Sequence, residues 1–366
     1  MNPFHLGPLP RDLRLDEARL RLADRTDEVA AASHCMESPA SRLVLYGPRR
    51  MGKSWVLGLA RLVAESREIW SASVTVPKGG SPGEVGAHVL HGLDSSARGD
   101  KRKLEVLQAL LSGRLHSRVE GDPASQTGNY RPYRPDDRTL FFDVLHALNE
   151  TLESHNDRAA LVVDEYQFLG ASSEELIRAT LKSCERLSIV LSGSDRRIGE
   201  QVASPSGCLY GVAELLLCSA IDEPVFATWI VDRAGTHGVL IEMDAAQEIV
   251  RAAGPTTWNI VRLAGAAWSA GGDLPFVEVG HIREIVAGMV EADDRNLRRN
   301  WHGMDEATRR VLSEAAHQEL RVSGVVDEGD AGRVESLLED GRLVEREGLL
   351  VLEDFELRAW LEARAP

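Results

Sequence analysis

The sequence predicts an α/β fold, with a parallel sheet flanked by helices and followed by two mainly helical parts. Three stretches carry that expectation. "LVLYGPRRMGKSWVL" (Leu43 to Leu57) joins a short apolar run to a helical pattern through a turn bounded by glycines. "AALVVDEYQFL" (Ala159 to Leu169) is a second apolar run, ending in two acids, and "RLSIVLSGSDRR" (Arg186 to Arg197) is a third, ending in serines. Apolar runs that alternate with helical patterns imply buried parallel strands, with a ligand at their carboxyl ends.

The elements follow in order. After a short N-terminal arm, "LRLADRTDEVAAASHCM" reads as a helix that Asp24 or Thr26 can cap, with Asp27 and Glu28 in its first turn. "LVLY" suits a central strand, and "SWVLGLARLVAES" carries apolar residues at helical spacing. "EIWSASVTV" is a further strand and "SPGEVGAHVLHGL" a helix. Residues Gly113 to Arg138 are rich in Gly, Pro and polar side chains and read as a long, mobile loop. "TLFFDVLHALNETLESH" is an amphipathic helix that feeds the strand ending in Asp164 and Glu165.

From Glu223 onward the strand signal fades. "EPVFATWIVDRAG", "MDAAQEIVRAAG" and "PTTWNIVRLAGAAWSAG" suggest a small helical bundle, in which Trp258 and Trp268 read as core. The last part reads as helices followed by two short strands about a turn containing Gly348, an order that suits a winged-helix module. The expected division is 1–222 for the α/β core, 223–290 for a helical lid and 291–366 for the winged-helix-like part.

The chemistry sits at the strand ends. Gly47, four residues (Pro48, Arg49, Arg50, Met51), then Gly52, Lys53 and Ser54 is the spacing of a phosphate-cradling P-loop, with Trp55 next on the helix. Backbone amides of such a turn and of the helix N-terminus hold phosphates. Lys53 is placed to reach the β/γ-phosphates, and the Ser54 hydroxyl to ligate Mg²⁺. A triphosphatase also needs carboxylates beside the loop. Asp164 would hold the Mg²⁺ through its water shell, and Glu165 would activate the attacking water. Without the P-loop, the same two acids would read as a solvated strand end. Ser192 and Ser194 fall where a γ-phosphate sensor belongs. Arg196 or Arg197 could stabilise transition-state charge, in cis or from a neighbouring subunit, although a solvated surface is the ordinary reading of arginines there.

Composition narrows the partners. The chain has 366 residues, 43% of them hydrophobic, and lacks an apolar run of membrane-spanning length. Its start has no secretory signal pattern and its four cysteines lack metal or disulfide spacing, so a cytoplasmic setting is expected. A formal charge of −15 opposes broad nucleic-acid binding and leaves room only for a local basic face. Arg295, Arg298, Arg299, Arg309 and Arg310 form a basic stretch, read first as a solvated helical face. The helix that a winged-helix module would offer to DNA carries Glu335, Glu339 and Asp340 against Arg333, which favours a protein contact. His88, His91 and Asp94 share a helical face, and a half-buried helix explains them better than a metal site.

With these motifs in this order, the chain resembles archaeal-type ATPases of the wider AAA+/STAND group, related to the origin-recognition ATPases. "NPFHLGPL", "LADRTDEV", "YGPRRMGKS", "LVVDEYQ", "LSGS" and "CLYGVAELLL" fall in that family's order, over nearly the whole length. The resemblance implies ATP and Mg²⁺ as ligands, Arg25 and Glu28 in the segment that borders the adenine, and a helical lid over the nucleotide. Departures are present as well. Asp24 stands where the family usually has Gly, Val212 follows "LYG" where an arginine is common, and Thr257 occupies the place of a second sensor arginine. Pro255 resembles the lid proline of STAND switches shifted by one residue, and Arg262 reads as a helix-surface residue with a sensor role as the alternative. The expected function is a slow ATPase, either a nucleotide-gated switch or an assembly factor acting on a protein partner, with nucleotide-dependent self-association in prospect. A DNA-loading ATPase is the alternative.

Overall fold

A computed structural model describes residues 2–4, 14–79, 82–113, 115–121, 130–134, 136–169, 174–317, 320, 328–346 and 348–364. Two helices, α1 (Leu15–Leu20) and α2 (Thr26–Glu37), lead into β1 (Arg42–Tyr46), α3 (Lys53–Ser66) and β2 (Trp70–Thr75). Next come α4 (Pro82–Ala97), α5 (Lys101–Ser112), the two-residue strands β3 (Val119–Glu120) and β4 (Arg131–Pro132), and α6 (Leu140–Ser154). The α/β part closes with β5 (Ala159–Asp164), α7 (Glu174–Ser183), β6 (Leu187–Gly193), α8 (Arg196–Ala203) and β7 (Glu214–Leu217).

Five of these strands form one sheet in the order β2-β5-β6-β1-β7, and every neighbouring pair is parallel. Parallel strands covered on both faces must be apolar throughout, and β5 shows why the sequence ran without alternation. Leu161 and Val163 enter the core beneath α4, α5 and α6, whereas Ala160 and Val162 enter the core beneath α2 and α3. The sequence reading passed over α5. Its signal is Asp100, whose carboxylate accepts from the Arg102 and Lys103 amides, followed by buried Val106, Leu107, Leu110 and Leu111. The stretch expected to be one long loop, 113–138, holds the small β3-β4 hairpin with Tyr130 buried beside it; residues 114, 122–129 and 135 of that stretch lie outside the described residues.

Four helices follow: α9 (Glu223–Thr236), α10 (Met243–Ala253), α11 (Thr257–Ala270) and α12 (Val279–His302). They enclose a separate core around Phe226, Ile249, Leu263 and Ile282, which the N-terminal Phe4 also enters. The chain ends with α13 (Glu306–Ala316), α14 (Glu328–Glu339), an antiparallel hairpin of β8 (Leu343–Arg346) and β9 (Leu349–Leu352), and α15 (Phe355–Glu362). Their core includes Leu312, Leu337, Leu350 and Trp360. Asp305 caps α13 and pairs with Arg333 of α14; hydrogen bonds from Thr308 and the Arg333 charge hold its carboxyl down at about 2. Two helices bridge the helical core and the last one. Residue 291 falls inside α12, which gives Ile282 to one core and Leu297 to the other, while α15 gives Phe355 to the first and Leu357 to the second. Among the described residues, no helix is long and apolar enough to cross a membrane.

Arg42 opens β1 as a buried cation. Its guanidinium donates to the carbonyls of Leu181, Cys184, Leu187 and Ser41, stitching the α7-to-β6 turn to β1. Burial lowers its pKa, yet four carbonyl dipoles compensate the charge. Replacement by methionine keeps much of the volume and removes the guanidinium donors from those carbonyls, of which that of Ser41 keeps the Ile189 amide. Arg42→Met should therefore lower unfolding stability by roughly 3 kcal/mol in chemical denaturation. A loss below about 1 kcal/mol would mean that water satisfies the turn as well as the guanidinium does.

Candidate nucleotide site

The P-loop spans the turn between β1 and α3. Gly47 has no room for a side chain, because a Cβ there would lie 2.3 Å from the Cys218 carbonyl oxygen just beyond β7. Gly52 caps α3 with φ +90°, a left-handed conformation that favours glycine. Lys53 then opens the helix, buried, with its ammonium donating to the carbonyls of Gly47 and Pro48 at 2.7 Å each. Burial pulls the Lys53 pKa below its usual value, against the neighbouring Glu165 and Asp164 carboxylates, which pull it back up. A cation held this way favours an incoming anion strongly.

The acids lie beside it. The Ser54 hydroxyl donates to Asp164 Oδ2 at 2.9 Å, and the Ser192 hydroxyl to Asp164 Oδ1 at 2.7 Å, so both oxygens of this buried carboxylate are engaged. Ser192 therefore orients Asp164. Glu165 follows in the left-handed region at φ +55°, and its Oε2 accepts from the Gln167 amide at 2.5 Å. The same amide lies 3.4 Å from the Ser194 hydroxyl. Ser54, Asp164, Glu165, Ser192 and Ser194 thus meet at the carboxyl ends of β5 and β6, as a ligand at the sheet's carboxyl edge requires.

Beside them lies a cavity of about 540 Å³, within the size range of small-molecule sites. Arg49, Arg50, Gly52, Lys53, Ser54, Trp55 and Glu165 line one side; Arg21, Leu22, Ala23, Trp229, Thr257, Trp258 and Val261 line the other. A larger groove, about 760 Å³ between α10, α12 and α15, contains none of the motif residues, so chemistry and not size selects the site.

Several residues sit elsewhere than the sequence suggested. Arg25 and Glu28 do not line the cavity. Arg25 is buried, paired with Glu28 at 2.6 Å, and donates to the carbonyls of Met51 and Ser219, which makes it a clamp behind the P-loop. The segment that does border the cavity is Arg21 to Ala23, two to four residues before Arg25. Met51 is also turned inward, 3% exposed, and contributes its carbonyl to that clamp and not its side chain to the cavity. Trp258, expected as lid core, lines the cavity, whereas Trp268 packs against the helical core as expected. Trp229 was not singled out; its signal was its place in α9, one turn after buried Phe226, with which it makes an edge contact.

The arginines are also placed. Arg197 is exposed and forks onto Asp195, the cap of α8, which raises its pKa. Arg196 begins α8, and its side chain lies outside the described residues. Arg262 pairs with Glu356 at 2.8 Å and its guanidinium lies over the Trp258 and Phe355 rings. His88 and His91 line a separate polar groove of about 660 Å³ that reaches Ser54 and Asp164, while Asp94 is buried.

A parallel sheet with a glycine-shaped phosphate turn and an acid pair at its carboxyl edge defines a P-loop nucleoside triphosphatase. The family model of the AAA domain matches residues 36–200. No curated protein matches the sequence. The fold is similar to that of the Walker-type ATPase Paby2304 of Pyrococcus abyssi, at 16% identity and TM-score 0.62, over 98% of this chain and 99% of that one. Lower similarities include the Aeropyrum pernix ORC1 protein in complex with DNA, at 16% identity and TM-score 0.49 over 95% of this chain and 94% of that one. The Thermotoga maritima RuvB Holliday junction branch migration motor follows at 15% identity and TM-score 0.47, over 98% of this chain and 99% of that one.

The Arg25 clamp generates a test. Arg25→Ala removes the donor shared by the Met51 and Ser219 carbonyls and should weaken ATP binding roughly tenfold in titration calorimetry, about the effect of one charge-assisted hydrogen bond. Unchanged affinity would show that the loop keeps its shape without the clamp.

Proposed function

We propose that the protein is an ATP-binding, slowly hydrolysing switch that acts on a protein partner through its C-terminal part. The observation that carries this reading is the direct contact of the C-terminal part with the P-loop. Arg50 pairs with Glu353 at 2.6 Å, and the amide of Trp258, in the first turn of α11, donates to the Arg50 carbonyl at 3.1 Å. A ligand in the cavity therefore touches the α/β core and the first turn of α11, and lies one residue from the segment after β9. On this reading 1–222 is the ATPase core, 223–290 the lid and 291–366 a winged-helix-like effector part.

Residue roles follow from chemistry. Lys53 neutralises phosphate charge, and the cavity walls Leu22, Trp229 and Trp258 offer apolar and aromatic surface to a base. Ser54 Oγ and Asp164 Oδ2, 2.9 Å apart, are hard oxygen donors that fit Mg²⁺. When bound, Mg²⁺ would offset phosphate charge. Ser192 keeps the Asp164 carboxylate oriented, Glu165 takes the proton of the attacking water, and Ser194 is placed to sense the γ-phosphate through its neighbourhood with Gln167. Arg197 bound to Asp195 and Arg262 bound to Glu356 support slow turnover, because an arginine that stabilises the transition state is worth about 10³ to 10⁵ in rate. The acidic face of α14, with Arg333 already paired to Asp305, supports a protein partner over DNA.

ATP turnover of the purified chain with Mg²⁺, alone and with double-stranded DNA, tests the proposal beside two variants. Slow turnover indifferent to DNA is expected. Glu165→Gln should retain ATP and lose at least about a hundredfold in turnover, and Lys53→Ala should lose nucleotide binding. Turnover that rises with DNA would replace the protein partner by DNA. Variants that hydrolyse like the parent would remove these residues from the site.

A further inference from the structure

The Arg50–Glu353 pair joins residues 303 positions apart and has an uneven environment. The Glu353 side chain is 5% exposed; that of Arg50 is 51% exposed and lines the nucleotide cavity. Glu353 Oε1 accepts from the Thr256 hydroxyl at 3.0 Å and the Asn259 amide at 3.1 Å, and its backbone carbonyl accepts from the same amide at 2.7 Å. The countercharge for this buried carboxylate comes through Oε2, from Arg50. On its other side Arg50 lies over the Trp258 ring, 5.0 Å from its centre.

We propose that Glu353 is a positioning residue that sets nucleotide affinity from the C-terminal part, by competing with the phosphates of the ligand for the Arg50 guanidinium. Arg50 is one residue from Met51 and two from Gly52, on the loop that wraps the phosphates, so a polyphosphate brings several negative charges to the rim where Arg50 stands. Each increment of guanidinium drawn toward phosphate is withdrawn from Glu353. A carboxylate buried without its cation is strongly disfavoured, so the segment that follows β9 loosens from the lid. The coupling is reciprocal: whatever ATP does to the docking of residues 349–362, the docking does to ATP. This rests on the nucleotide-site reading given above and adds the sign of its regulation, with the docked C-terminal part opposing phosphate binding.

Two measurements on the full chain test it. Glu353→Gln keeps the shape and the acceptor for Thr256 and Asn259 and removes the charge that competes for Arg50. Titration calorimetry should show ATP binding at least about fivefold tighter in the variant, with adenosine, which has no phosphate, bound as by the parent. In the parent, ATP should speed hydrogen exchange of the amides in 349–362. Equal ATP affinity in parent and variant, or an equal shift for adenosine, would assign Glu353 a packing role and overturn the proposal while leaving the nucleotide site intact. Unchanged or slower exchange in 349–362 on ATP addition would also overturn it. A parent that binds no ATP would overturn the site and the coupling together.

Discussion

The Asp164 carboxylate is the point on which the rest of the site depends. One oxygen takes a hydrogen bond from Ser54 on α3, the other from Ser192 on β6, and Asp164 itself ends β5. Those hydrogen bonds exist only because the parallel registers place Val163 opposite Leu191 and Leu45 opposite Ser192. A slip of one residue in the β5–β6 pairing would turn Ser192 to the opposite face and leave Asp164 Oδ1 with the Glu165 amide in place of two donors. The apolar run along each strand fixes the sheet's burial, and the polar residue at each end fixes its register.

The phosphate turn is constrained from outside its own motif. The Met51 carbonyl accepts from Arg25, from the Cys218 thiol and from the Thr257 hydroxyl, which come from the α2 N-terminus, the end of β7 and the first turn of α11. A phosphate site needs its amides pointed inward before the ligand arrives, since reorganising a loop at the moment of binding costs affinity. Carbonyls tied down on the outer side of the turn achieve that orientation. Arg25 serves it by reaching behind the loop, which is why it is absent from the cavity wall.

Much of the fold was legible in the sequence because burial on both sheet faces leaves uninterrupted apolar runs, and the helices that follow β7 keep a 3.6-residue period. The candidate site was legible where its residues lie in a local spacing that the fold brings together: Gly47 to Ser54, Asp164-Glu165, and the serines at and just beyond the end of β6. What the sequence hid depends on distant partners. Trp258 has the same local pattern whether it fills a core or lines a cavity, and its ring lies against the guanidiniums of the distant Arg50 and of Arg262 at the cavity wall. Strand β7 was missed because Glu214 and Leu217 are exposed at a sheet edge, so its pattern lacks the buried run of the inner strands. The expected boundary at 291 falls within α12, whose backbone continues unbroken to His302.

The chain's end is tied to its nucleotide site by charge and not by apolar burial alone. Within four residues, Glu353 and Glu356 each take an arginine, one from the P-loop and one from α11, and the two guanidiniums lie over the Trp258 ring. Apolar contacts change gradually as surfaces separate, whereas a buried carboxylate has a desolvation cost that is offset only while its arginine stays within hydrogen-bond reach. An interface held this way favours two discrete arrangements over a continuum. Phe355, between the two acids, belongs to the helical core, so displacing this segment also exposes an apolar side chain that bound partner surface could cover. On the proposed reading, nucleotide chemistry at the P-loop and surface chemistry at α15 meet in one short stretch, Glu353 to Glu356.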